Sequence, residues 1–397
     1  MDKHRSAAAL IRSRKPNHPV IGLRPHAAYR AARWFLDNFP GEVAYAYKAN
    51  DSCFLLGALY GAGIRHFDVA SMAEVEAASH IKGAHLHFMN PVKPRHAIRR
   101  AYFEFGVRTF ALDCEQELRK ILEETDHAKD LALCVRIAPP AGNAVMPLSG
   151  KYGVSGAEAA ELLRTTRQVA DELGVTFHVG SQTTAPDAYV RALEMVHRLI
   201  VEAGVVVDIV DVGGGFPSRY LDSEPAPLKA FTDTIAQAVE RMAIGEHCRI
   251  FCEPGRALAA EAESLIVKVD ARRGNELFIN DGAYGVLFDS AVFGVAPAAR
   301  QVGTEQTGGG KLEAFSLWGP TCDSFDRMKG PFLLPASIAE GDYIEFGNVG
   351  AYGRVLASRF NGFGNYEEVV LLDEPMTSLY AETSNVTPFP GVVRNHG

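Results

Sequence analysis

The chain has 397 residues, of which 47% are hydrophobic and 22% charged, with a formal net charge of −8. That mixture is ordinary for a soluble globular protein long enough for more than one typical domain. The acidic balance, with no long basic run, argues against a nucleic-acid or anionic-membrane partner. Six cysteines (Cys53, Cys114, Cys134, Cys248, Cys252 and Cys322) form no CxxC pair, so neither a metal site nor a disulfide framework is expected.

The opening stretch MDKHRSAAALIRSRKPNHP is basic but has no apolar core long enough for a signal peptide, and no later run approaches the roughly 20 apolar residues of a membrane span. The expected location is cytoplasmic. Strand candidates then follow in order: VAYAYKA (43–49), HFDVA (66–70), HLHFMN (85–90), TFALDC (109–114), LALCVRI (131–137), VTFHVGS (175–181), IVDVGGGF (209–216) and RIFCEPG (249–255). Most are short and rich in β-branched or aromatic residues, as strands buried on both faces are. Between them, Ser155 and Glu158 have capping-box spacing, Leu162, Leu163, Val169 and Leu173 recur at helical spacing, and Gly174 is the expected stop. Pro186 opens a helix that runs toward Gly204.

Eight strands alternating with helical segments predict an α/β fold, a (β/α)8 TIM barrel. A doubly wound sheet would bring a glycine-rich fingerprint at its first turn, and none is present. After about residue 260 the texture changes to SLIVKVDA, ELFIND, AFSLWG, DYIEFGN and EEVVLLD with little helix between, which predicts an antiparallel β domain. The expected organisation is a segment 1–25 that joins the β domain, a barrel over 26–260 and the β domain over 261–397. TEQTGGGK (304–311) reads as a flexible hairpin tip, since its spacing fails as a phosphate loop.

Barrel enzymes gather function at the C-terminal ends of their strands, often with phosphate held after strands seven and eight. Here strand seven runs into Gly213, Gly214 and Gly215, and strand eight into Glu253, Gly255 and Arg256. A triple glycine alone is as easily a tight turn; two such loops at both positions favour an anion site. Lys48 ends strand one, where it either snorkels from the barrel mouth or serves as a desolvated amine of lowered pKa suited to a Schiff base. Phosphate site, amine and the nearby acid Glu253 together point to pyridoxal 5′-phosphate, with Glu253 pairing the pyridine nitrogen. His178 is placed to stack on a planar ring and Ser181 to reach a phosphate. His85 and His87 have ligand-like spacing but no third partner, so they are read as structural, and the cysteines other than Cys322 as small core residues. In WGPTCDSFD (318–326), a thiol and carboxylates share one loop, as an acid toward a carbanion and an amine binder would.

These residues resemble the fold-type III pyridoxal-phosphate decarboxylases, in particular the ornithine/lysine decarboxylase branch, whose barrel-plus-β-domain plan is alanine-racemase-like. The likeness covers nearly the whole chain in order: YAYKAND, FDVAS, VRI with SGKYG, FHVGS, DVGGGFP, CEPGR, NDGAYG, WGPTCDSFD, VGAYG and RFNGFG. It implies that Lys48 carries the cofactor, with Asp68 and Arg136 in the surrounding network. His178 would lie on the ring, and Ser181, Gly213, Gly214, Gly215, Gly255, Arg256 and Tyr352 would surround the phosphate. It further implies a head-to-tail homodimer in which each site borrows the WGPTCDSFD loop of the other copy, with Cys322 protonating the α-carbon and Asp323 facing the distal amine of a small-molecule amino acid. Tyr284 and Asp289 are the further substrate-side candidates; Asp289 is the only acid in VLFDSAVFGVAP (286–297). The Cys-Asp-Ser sequence favours ornithine or lysine over diaminopimelate, with carboxynorspermidine as a related alternative. A racemase and a non-enzymatic decarboxylase-like regulator are the competing classes. The first needs a tyrosine opposite the lysine, and the second should have lost Lys48 or the glycines.

Overall fold

The computed structural model describes residues 1–139, 144–146, 150–303 and 311–380. The eight expected strands close a parallel barrel in sequence order: Glu42–Ala46, His66–Val69, His85–Phe88, Thr109–Leu112, Ala132–Ile137, Glu172–Phe177, Ile209–Asp211 and Arg249–Cys252. Strand eight pairs back onto strand one, Phe251 with Glu42 and Cys252 with Val43. Around the barrel run helices with capped ends, of which Pro186 and Gly204 were expected from the sequence. Cys53–Ala62 begins where the Ser52 side chain accepts from the Leu55 N–H and ends on left-handed Gly63, and Asp187–Ala203 ends on Gly204. Phe35, Phe67, Phe110, Phe177 and Phe216 are among the fully buried side chains between strands and helices.

One helix stops earlier than its spacing suggested. It spans Gly156–Arg167, with Ser155 at the N-cap but without a side-chain cap bond, and Leu173 and Gly174 belong to barrel strand six. Gly174 is a close-approach residue rather than a helix stop: a Cβ there would lie 2.4 Å from the Cys134 sulfur on strand five. The apolar Leu173 suited either period, and the barrel register decided between them.

The second body is a mixed sheet. Its long strand Glu263–Arg273 leaves the barrel and pairs antiparallel with Val20–Leu23, Tyr343–Phe346 and Glu276–Ile279. Most pairings are antiparallel, but Glu276–Ile279 runs parallel to Leu312–Trp318, and Glu367–Leu371 runs parallel to both Lys3–His4 and Val20–Leu23. Four strands of this sheet were not named from the sequence: Lys3–His4, Val20–Leu23, Ala299–Val302, half polar, and Arg327–Pro335, whose internal Gly330-Pro331 reads as a breaker. The Leu312–Trp318/Arg327–Pro335 hairpin carries the 319–326 loop. Arg24 ties the barrel entrance to this sheet, buried against Glu345 at 2.9 Å, Asp373 at 2.8 Å and the Ser264 hydroxyl at 2.9 Å. The 304–310 part of the expected hairpin tip lies outside the described residues. Among the described residues no helix is long and apolar enough to cross a membrane, and no cluster of three or more His, Cys, Asp or Glu could hold a metal ion. All six cysteines are free, but only Cys134 and Cys252 are core residues; Cys53 and Cys322 are exposed.

Candidate active site

Barrel strand one ends at Ala46 and the chain tightens into a 3-10 turn, Tyr47–Ala49, so Lys48 stands on the turn rather than within the strand. The turn is tied down from both bodies. The Tyr45 hydroxyl donates to the Asn50 carbonyl at 2.8 Å, the Asn50 amide donates to Glu263 and the Gly350 carbonyl, and the Tyr352 N–H donates to the Ala49 carbonyl at 2.8 Å. Lys48 Nζ meets Asp68 Oδ2 at 2.7 Å, its own side chain 43% exposed and that of Asp68 2%. The expected depressed pKa is not found. Burial lowers it, but Asp68, Tyr352 and Glu253 favour the ammonium more strongly, and the net shift is upward.

Gly213, Gly214 and Gly215 follow strand seven, and three carbonyls explain why no larger residue fits. A Cβ on Gly213 would lie 2.0 Å from the Phe177 oxygen, on Gly214 2.7 Å from the Glu253 oxygen, and on Gly215 2.6 Å from the Gly180 oxygen. Gly213 and Gly215 also take positive φ, +69° and +107°. Gly255 is equally confined, between Ala46, Ala49 and the Tyr352 hydroxyl. Beside this cradle, Arg256 opens the short helix Arg256–Ala259 with its side chain 3% exposed. Its Nη1 donates to the Tyr220 hydroxyl at 2.8 Å, its Nη2 to Asp289 Oδ2 at 2.7 Å, and its Nε reaches toward Ser181 Oγ at 3.4 Å. The Tyr352 ring lies under its guanidinium, 5.0 Å from centroid to Cζ.

The acidic side is built two residues at a time along the strands. Glu253 is buried, and burial with the neighbouring Asp211 and Asp68 pushes its carboxyl well above the usual range. Asp211 is held by the Gly213 N–H at 2.9 Å and the Thr176 hydroxyl at 3.0 Å. His178 accepts the Gly180 N–H on Nδ1, and burial followed by the charges of Arg136 and Lys48 lowers its pKa well below the ordinary value. A neutral imidazole suits a face against an aromatic ring better than a cation beside Lys48.

Lys48, Asp68, Arg136, His178, Ser181, Glu253, Arg256, Asp289 and Tyr352 line one cavity of ≈460 Å³. Cys322, Asp323 and Tyr284 do not line it. They form a separate group on the β domain, in which the Tyr284 hydroxyl meets Asp323 Oδ2 at 2.5 Å and the Cys322 N–H donates to the Asn361 side chain. The Phe325 N–H, and after it the Tyr284 hydroxyl, hold the Asp323 carboxyl below its usual pKa. Sequence reading missed Asp211 and Tyr220, which support Glu253 and Arg256, and the apolar wall of Phe288, Phe293 and Leu356. Only Asp211 carried a signal: an acid at the end of a barrel strand.

At the other end of the barrel, His66 Nδ1 lies 2.9 Å from His87 Nε2 and His66 Nε2 lies 2.9 Å from Glu42, with His85 stacked on His66. Burial first, then neighbouring histidines and Arg249, lowers His66 to about 4 and His87 to about 3. The adjoining cavity measures only about 30 Å³.

The residues present suit pyridoxal phosphate. The cradle closed to any Cβ and the buried Arg256 match a phosphate, the buried acid Glu253 matches a pyridine nitrogen, and Lys48 is an amine at the cavity wall. The pyridoxal-binding domain of the pyridoxal-dependent decarboxylases matches residues 26–260. The chain is 32% identical over 366 residues to the ornithine decarboxylase of Mus musculus, covering 84% of this chain and 76% of that one. It is 30% identical over 347 residues to the lysine/ornithine decarboxylase of Selenomonas ruminantium, covering 84% of each. Among solved structures, the Paramecium bursaria Chlorella virus arginine decarboxylase superposes with a TM-score of 0.82 at 26% identity, over 91% of this chain and 98% of that one.

Proposed function

The chain belongs to the pyridoxal-dependent decarboxylases, and from that membership we propose that it removes the α-carboxylate of a basic L-amino acid, L-ornithine to putrescine first and L-lysine to cadaverine second. The observation that carries this is the cavity lined together by the Lys48–Asp68 pair, Arg256 and Glu253, with the glycine cradle following strand seven behind it. When bound, pyridoxal phosphate supplies an electron sink for the carbanion left as CO2 departs.

This chain's residues do the rest. Lys48 would anchor the cofactor, with Asp68 and Arg136 balancing charge around its amine. The Gly214 and Gly215 amides, Ser181, Arg256, Gly255 and Tyr352 would hold the phosphate, Glu253 the pyridine nitrogen, and His178 would face the ring, while the Gly213 N–H is taken by Asp211. Cys322 delivers a proton to the α-carbon, and Asp323, kept ionised by the Phe325 N–H and Tyr284, binds the distal amine. Because Cys322 and Asp323 lie outside the cavity of their own chain, this reading requires a homodimer in which each copy completes the other's site. The six free cysteines suit the cytoplasm as its location.

The test is CO2 release by the purified, cofactor-loaded protein from ornithine, lysine, arginine, diaminopimelate and carboxynorspermidine in parallel. Strong release from ornithine or lysine supports the reading. Release from none of the five, with a normal cofactor spectrum, overturns it. The shared site has its own test: mixing Lys48→Ala with Cys322→Ala protein should restore about a quarter of native activity, through dimers that hold one intact site.

A further inference from the structure

Asp289 is the one acid of the 286–297 stretch and was a candidate for the substrate's distal amine. We propose instead that it is a positioning residue for Arg256, and that the substrate end of this chain's own cavity wall carries no carboxylate of its own. The inference rests on the decarboxylase reading above and deepens it.

The geometry is that of a fixed guanidinium. Three of its nitrogens are engaged: Nη2 with Asp289 at 2.7 Å, Nη1 with the Tyr220 hydroxyl at 2.8 Å and Nε toward Ser181 at 3.4 Å. Met146 Sδ lies 3.6 Å from Nη2, and the Tyr352 ring covers one face. With side-chain exposures of 3% and 15%, the Arg256–Asp289 pair is shielded from water on both sides. A buried arginine without a counter-charge is costly, and an arginine left to its own rotamers must be ordered each time an anion arrives. Asp289 removes both difficulties and leaves the guanidinium fixed at the cavity wall.

Phe288 and Phe293, flanking Asp289 in sequence, and Leu356 line the same cavity, whose other lining includes Asn90, Lys151 and Tyr152 but, among the described residues, no further carboxylate on this side. The other carboxylates on the cavity, Asp68 and Glu253, belong to the Lys48 end. With Asp289 committed to Arg256, the distal amine is read by a single carboxylate, Asp323 of the second copy, against an apolar wall. Such a site should discriminate weakly between ornithine and lysine, since one methylene along an apolar surface changes little beyond the reach of the amine.

The experiment compares native protein with Asp289→Asn in two readouts: the dissociation constant for pyridoxal phosphate, titrated by absorbance onto apoprotein, and KM against kcat for ornithine and lysine at saturating cofactor. Positioning predicts roughly tenfold weaker cofactor binding, KM within about threefold of native, and partial rescue by Asp289→Glu. It also predicts non-additivity: in an Arg256→Lys background, Asp289→Asn should weaken cofactor binding by less than twofold further. Unchanged or tighter cofactor binding with KM raised tenfold or more makes Asp289 an amine ligand and overturns the proposal. If Asp289→Asn fails to fold, Asp289→Glu and the Arg256→Lys background carry the same two readouts. Native protein that binds cofactor but decarboxylates neither substrate removes the functional reading, while the cofactor titration still decides whether Asp289 acts through Arg256.

Discussion

At the C-terminal mouth of the barrel, Lys48 and Asp68 lie 2.7 Å apart beside a cavity of ≈460 Å³. At the opposite end of the same strands, His66 and His87 lie 2.9 Å apart, and His87 lines a cavity of about 30 Å³. The two clusters share residues' faces: His66 and Asp68 are alternate residues of strand two, and Arg249, Phe251 and Glu253 alternate along and just beyond strand eight, so each pair points inward. What differs is space and charge. At the mouth, loops hold side chains apart and set cations against acids, so Lys48 and Arg256 keep their charge and Glu253 is pushed toward its neutral form. At the base, rings stack on one another and burial keeps them neutral. Dense titratable chemistry is therefore not enough to make a site; it needs a cavity of ligand size, since the small one is itself lined by Arg249, Asp211 and Glu253.

The sharpest way to break this contrast is Lys48→Ala, expected to abolish the Schiff-base absorbance and to lower turnover by roughly 10³-fold or more, as loss of a covalent catalytic group does. Retained absorbance would move the cofactor attachment elsewhere. Cys322→Ala comes next, with cofactor binding intact and turnover reduced on the order of 10²-fold; normal turnover would remove the proton-donor role. Gly213→Ala should weaken cofactor binding about tenfold and destabilise the fold by roughly 1–2 kcal/mol from the left-handed backbone alone, measured by titration and denaturant midpoint. A harmless alanine would mean the cradle does not need its close approach to Phe177.

The smallest effect on activity belongs to the base. His87→Gln should leave kcat/KM within about twofold of native; a large loss would join the two ends functionally. Acid stability is where the histidines should register. Their folded pKa values, about 4 and about 3, lie below the unfolded value near 6.5. Between those limits the unfolded chain binds more protons than the folded one. The stability from keeping the rings neutral is therefore complete above about pH 6.5 and is lost as pH falls toward 4. Urea midpoints measured from pH 7 to pH 4.5 should fall less steeply in His87→Gln; parallel slopes would contradict the assignment.

Local signals were enough for much of this. The eight barrel strands are visible because each is a short apolar run bounded by polar or glycine punctuation, and Pro186 and Gly204 mark the ends of the helix between two of them. That Gly213–Gly215 and Arg256 follow strands seven and eight was legible as well, because the strands that precede them are visible in the sequence. Arg327–Pro335 was hidden by its own Gly-Pro, and Leu173 and Gly174 fitted a helix until strand pairing claimed them. The upward shift of Lys48 was equally invisible, since it depends on Asp68, twenty residues away in sequence and one hydrogen bond away in space.

By itself the sequence determined the order of elements, the change of texture near residue 260 and the residue types that phosphate, amine and acid chemistry demand. These follow from periodicity and from what each side chain can do over a few neighbouring positions. Only the tertiary structure decided which of those residues face one cavity, that Asp289 belongs to Arg256, and that Cys322 and Asp323 stand apart from Lys48 in the same chain. Burial, ion pairing and pKa arise between groups distant in sequence, so they come into being when the barrel closes and the sheet docks against it.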